Sequence, residues 1–156
     1  MGAIEDRIRD LGYTLPGAVA PVGNYLPTVS VAAAGLVYTS GHVSRRADGE
    51  MVAGKLGADM EVDKGYETAK QTALDLLGSL KAGIGELDRI TRVVKVLCMV
   101  NCTPDFEQQP AVANGASDLL VEVFGERGKH ARSAVGMAAL PGNACLEIEM
   151  IVEVSP

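Results

Sequence analysis

Tryptophan is absent from the 156 residues, and aromatic side chains of every kind make up only 4%. Stacking platforms for single-stranded nucleic acid are therefore not expected. Basic charge is short as well: 14 Lys and Arg stand against 20 Asp and Glu, a formal net charge of -6. Long-range repulsion then disfavours nucleic acid, although one local arginine can still hold a small anion. Histidine occurs only at His42 and His130, and cysteine only at Cys98, Cys102 and Cys145. There is no CxxC and no zinc spacing, so buried reduced thiols are expected and no metal site. No apolar run approaches the roughly 20 residues that span a bilayer. The charged start MGAIEDRIRDLGYTLP lacks the apolar segment of a signal peptide, and MGAIED lacks the Ser or Thr of a myristoylation signal. A cytoplasmic location without membrane contact is the expectation.

What the chain does have is 47% hydrophobic residues against 22% charged, a globular balance for one domain over residues 1–156. Ile4, Ile8 and Leu11 predict a short amphipathic helix inside an N-terminal extension, residues 1–15. TLPGAVAPVGNYLP reads as an extended loop. VSVAAAGLVYTSG predicts a hairpin of Thr28–Ala33 and Leu36–Ser40 turning near Gly35. SRRADGEMVAGKLGAD is polar loop. Asp63 is expected to cap a long helix with Tyr66, Ala69, Ala73, Leu76, Leu77, Leu80 and Ile84 on one stripe. ITRVVKVLCMV predicts a central strand from Ile90 to Asn101. Thr103 and Pro104 read as the start of a second helix, broken or restarted at Pro110 and ending at Phe124. Two strands joined by LPGNA close the chain. The order suits an α+β domain, two helices packed on one face of a mixed sheet.

The final stretch, HARSAVGMAALPGNACLEIEMIVEV, places a charge, Arg132, at the head of an apolar strand. Side chains alternate along strands, so Leu146, Ile148, Met150, Val152 and Val154 form a core face, with Glu147, Glu149 and Glu153 opposite. In the preceding strand Arg132 shares a face with Ala134, Gly136 and Ala138. If the apolar faces of both strands line up over the helices, Arg132 joins the glutamates on a bare face. Residues so small leave room for a ligand or another subunit. From spacing alone, plainer accounts stay open: a surface arginine paired with a glutamate, a solvated edge of glutamates, a loop aromatic at Tyr25, a turn serine at Ser40, a helix-surface Asn114. His42 and His130 have no partners at the spacing of a hydrolytic triad.

Four segments in order, APVGNYLP, LVYTSGHV, GELDRITRVVKVLCMV and ARSAVGMAALPGNACLEIEMIVEV, resemble the reactive-intermediate (imine) deaminases. These Rid or YjgF-like proteins are also described as L-PSP-type endoribonucleases and translation inhibitors. The resemblance spans residues 18–154. It implies a chorismate-mutase-like α+β fold and a homotrimer with sites between subunits. It also implies hydrolysis of 2-imino acids to 2-keto acids and ammonia without a cofactor. Carried over by position, Arg132 would hold the substrate carboxylate through its planar fork. Glu147 would orient the attacking water. Tyr25 would shape the pocket, with Ser40 and Asn114 binding substrate. Ala134 stands in the pocket where many members have a cysteine. His42 replaces a frequent amide, the pair Lys129-His130 replaces an aromatic-proline pair, and Gly136 and Ala139 replace larger residues. The departures imply a wider pocket. Two other functions stay open: a trimer that binds a carboxylated metabolite without turnover, and, disfavoured by charge, an endoribonuclease.

Overall fold

The long helix forms because apolar side chains recur at helical spacing through a run free of proline. In the structure, a computed structural model that describes residues 2–156, it spans Val62–Ile84 (α2). Ala69, Ala73, Leu76, Leu77 and Leu80 on its inner face are fully buried. Asp63 does not cap it. Glu61 holds that position without a side-chain hydrogen bond, and Asp63 sits in the first turn, where a carboxylate still meets the positive end of the helix dipole. A shorter helix, Gln109–Phe124 (α3), packs beside α2. Gly115 sets their separation, because a Cβ there would run into the carbonyl oxygen of Tyr66. Thr103 and Pro104 do not begin α3. Thr103 N–H is bonded to the Leu56 carbonyl, and the chain turns before entering the helix at Gln109 with Pro110 in the first turn. Proline is tolerated there because its missing N–H would have had no partner.

Both helices lie on one side of a mixed sheet. Its strands are Thr28–Val31 (β1), Leu36–Thr39 (β2), His42–Val43 (β3), Ile90–Asn101 (β4), Ala131–Met137 (β5) and Leu146–Val154 (β6). The order is β1-β2-β6-β4-β5, with β3 also on β6. The closing strands are not a hairpin: β4 lies between them, antiparallel to β6 and parallel to β5. The crossover β4–α3–β5 buries one face of α3, which a hairpin would leave uncovered. A first helix, Ala3–Asp10 (α1), buries Ile4 and Ile8 against α3 and the turn at Leu87–Arg89. The core fills the space between helices and sheet, with Leu146, Ile148, Met150 and Val152 of β6 facing it.

The opposite sheet face carries no helix. Val29, Tyr38 and Val135 on it are 49%, 43% and 41% exposed, and Glu147, Glu149 and Lys95 stand among them. Strand β5 forms one edge of the sheet. An open edge next to a partly apolar face is a surface suited to another chain.

Candidate functional site

The register decides where the charges go, and it reverses one expectation. Arg132 is paired with Val96 and Ala134 with Cys98, and those partners point into the core. Arg132, Ala134 and Gly136 therefore face the helices. Glu147 pairs with Met99 and Val43 and faces the bare side. The two apolar faces do not line up as expected, because β5 is an edge strand whose Val135 is exposed while its small residues let α3 close over it. Arg132 and Glu147 thus lie on opposite faces, with β4 between their strands, and no small ligand touches both within one chain.

Around Arg132 the geometry is well defined. Its Nη1 donates to Asn114 Oδ1 at 2.8 Å and to Ser117 Oγ at 3.1 Å, both on α3. None of the ion pairs among the described residues includes Arg132, so it is not a paired surface arginine. Ser117 Oγ also lies 3.0 Å from His130 Nε2, and His130 Nδ1 lies 2.6 Å from the Gly128 carbonyl oxygen. Burial holds the proton affinity of His130 below its usual value, and the nearby Arg132 charge adds to this. Farther along the same face, a cavity of about 410 Å³ opens between Gly136, Cys102, Phe106 and Gln109. Gly136 and Ala138 supply the small-residue part of its wall.

Glu147 lies in a second cavity, of about 330 Å³, where β2 gives way to β3. Val19, Val22, Tyr25, Met51 and Pro141 make its wall mostly apolar, and Ser40, Arg45 and Glu147 supply polarity. A Cβ on Gly41 would collide with the Glu147 carboxylate, so only glycine lets that group lie against the backbone. Burial raises the pKa of Glu147, and Glu149 raises it further. Ser40 is fixed by its own bonds: Oγ donates to the Leu26 carbonyl at 2.6 Å and its N–H to that of Pro27 at 2.8 Å. Tyr25 is 47% exposed, and its hydroxyl accepts the Val22 N–H at 3.4 Å.

Beneath this cavity is a network that the sequence did not reveal. His42 Nδ1 donates to the Ser40 carbonyl at 3.0 Å, which leaves Nε2 to accept the Ser79 hydroxyl at 2.7 Å. Ser79 in turn accepts the Val19 N–H at 3.4 Å, tying the 19–25 loop to α2. Ser79 and Ser117 were the residues missed. The available signal was a serine beside the apolar stripe of each helix, with a histidine elsewhere lacking a partner.

The sequence-derived candidates therefore fall into two groups. Arg132, Asn114 and Ala134 stand on the helix side at the β5 edge; Glu147, Tyr25 and Ser40 stand around the second cavity. Among the described residues no cluster of His, Cys, Asp and Glu could hold a metal ion, and no helix is long and apolar enough to cross a membrane. The three cysteines are buried and unpaired, and burial pushes the Cys98 thiol up to about 12, far from a reactive thiolate.

A mixed sheet backed by two helices, with an arginine at one edge and a half-buried glutamate on the far face, defines an α+β protein of chorismate-mutase-like architecture. Residues 5–154 match the family described as "YjgF/chorismate_mutase-like, putative endoribonuclease", and the chain belongs to this Rid/YjgF-like family. It is 42% identical over 156 residues to protein TCP17 of Trypanosoma cruzi, covering 99% of this chain and 96% of that one. Its fold is similar to that of protein Atu1372 of Agrobacterium tumefaciens, described as of unknown function (TM-score 0.89, 41% identity, 97% of this chain and 92% of the other). It is also similar to a "putative endoribonuclease" of Shewanella oneidensis MR-1 (TM-score 0.91, 31% identity, 98% and 100% covered).

Proposed function

We propose that the protein is a homotrimer that hydrolyses 2-imino acids to 2-keto acids and ammonia, at sites each built from two copies. The observation that carries this reading is the division of the site residues. One chain offers an arginine at a sheet edge and, on the other face, a half-buried carboxylate in a mostly apolar cavity. Neither half is complete alone, and the edge of one copy against the bare face of another supplies both. Arg132 holds the substrate carboxylate. Glu147 accepts a proton as water adds to the imine carbon; the carbinolamine then collapses, and the proton leaves with nitrogen as ammonia. A pKa raised by burial makes Glu147 a better base than a solvated carboxylate. The remaining side chain of the substrate lies against Val22, Met51 and Pro141.

Generating imines with an amino-acid oxidase and timing their loss tests this. Wild type should shorten imine lifetime and Arg132→Ala should not; no acceleration with several 2-imino acids sinks the proposal. A second reading, a trimer that binds a carboxylate without turnover, draws support from Ala134, which puts no thiol at that position of β5 and leaves only the buried Cys98 of β4 nearby. A keto acid that stabilises wild type against heat but not Arg132→Ala, without turnover, would favour it. The endoribonuclease activity named for relatives fits a net charge of -6 poorly.

A further inference from the structure

The bonds around Arg132 leave little freedom in where its protons point. A carbonyl oxygen only accepts, so His130 Nδ1, 2.6 Å from the Gly128 oxygen, carries the ring proton. Nε2 of the neutral ring is then a bare acceptor, and the Ser117 hydroxyl 3.0 Å away must donate to it. The Ser117 lone pairs are left for Arg132 Nη1 at 3.1 Å, while Asn114 Oδ1 takes the second Nη1 hydrogen at 2.8 Å. Both hydrogens of Nη1 are thereby committed. Nε and Nη2 meet no acceptor among the described residues.

We infer that Ser117 and His130 are positioning residues that lock Nη1 against α3 and present the Nε–Nη2 edge of Arg132 for side-on, bidentate capture of the substrate carboxylate. The inference rests on the proposed reading of Arg132 as a carboxylate clamp and specifies how that clamp is aimed. The relay is anchored on the main chain at Gly128, beyond the end of α3, so it does not depend on another mobile side chain. Burial supports the neutral ring that it requires. Without an acceptor at position 130, the Ser117 side chain is free to rotate toward a helix carbonyl, its usual alternative partner, and its contact with the guanidinium is no longer fixed. A bidentate partner tolerates little rotation of the fork, so the loss falls on binding and not on the chemical step.

Pyruvate serves as the carboxylate probe in calorimetry, and oxidase-generated imines serve for turnover, both with the intact protein. The variants are Ser117→Ala, His130→Leu, His130→Gln and Arg132→Ala. Losing one hydrogen bond predicts about a three- to tenfold weaker Kd and higher KM for Ser117→Ala and His130→Leu, with kcat within about twofold. His130→Gln, whose amide oxygen reaches the Nε2 position, should recover to within about twofold. A merely structural role would instead lower Tm in both His130 variants and leave KM unchanged. If His130→Leu does not fold, Ser117→Ala, which removes a single hydroxyl, decides the matter. Pyruvate binding lost in Arg132→Ala but unchanged in Ser117→Ala overturns the relay and spares the clamp. Failure of wild type to bind pyruvate, or equal binding by Arg132→Ala, overturns the clamp and the relay together.

Discussion

Asp75 offers a quantitative test of how the interior is built. It sits in the middle of α2, 5% exposed, with one carboxylate oxygen bonded by Gln71 at 3.1 Å and the other without a partner. Burial pushes its pKa from 3.8 to about 6, although Gln71 and the Arg45 charge both pull it down. The folded state therefore binds this proton more tightly than the unfolded chain does. The sign follows: the carboxyl is harmless below pH 4, where both states are protonated. It becomes a penalty as pH rises toward 6, and the penalty is full above that. A shift of about two units corresponds to about 3 kcal/mol. Asp75→Asn removes the titration but leaves amide donors unpaired, which costs about 1–3 kcal/mol at every pH. The difference in unfolding free energy between mutant and wild type, read from urea melts, isolates the effect, because all other groups cancel. It should move in favour of the mutant by about 2–3 kcal/mol between pH 4 and pH 8. A difference that is constant with pH, or that moves toward wild type, rules out a raised Asp75 pKa in the folded state.

Other consequences are direct. Gly115→Ala places a methyl against the Tyr66 carbonyl and should destabilise the fold by about 1–3 kcal/mol in urea melts, by forcing α2 and α3 apart. Glu147→Gln should lower kcat by about two orders of magnitude with KM nearly unchanged, as expected on losing a general base. In wild type, kcat should fall with decreasing pH through an apparent pKa above the ordinary 4.5 of a glutamate, because the base is lost on protonation. Gly41→Ala should lower kcat with melting unchanged, because its methyl displaces the carboxylate of Glu147.

Periodicity reveals what depends on one element. The α2 stripe, the bounds of β4 and the core face of β6 followed directly from apolar spacing, since burial of a regular element repeats with its own period. Helix starts were less legible. Asp63 and Thr103 are good capping types, but position within the turn depends on which backbone groups already have partners, as Thr103 does at Leu56. The facing of Arg132 was not legible at all. Parity gives two faces per strand without saying which one meets the helices; that depends on the parallel pairing of β5 with β4. Small residues suggested an open face, whereas here they admit α3. Ser79 and Ser117 stayed hidden because their partners, His42 and His130, are brought to them only by tertiary packing.

In the proposed site, Arg132 of one copy meets Glu147 of another. Mixing Arg132→Ala protein with Glu147→Gln protein, under conditions that exchange subunits, tests this pairing. Each variant alone should retain no more than about one hundredth of wild-type activity. A random trimer made from equal amounts should regain about one quarter of wild-type activity, because one interface in four then pairs an intact arginine with an intact glutamate. Mixtures as inactive as their components after proven subunit exchange would show that the two residues do not share a site.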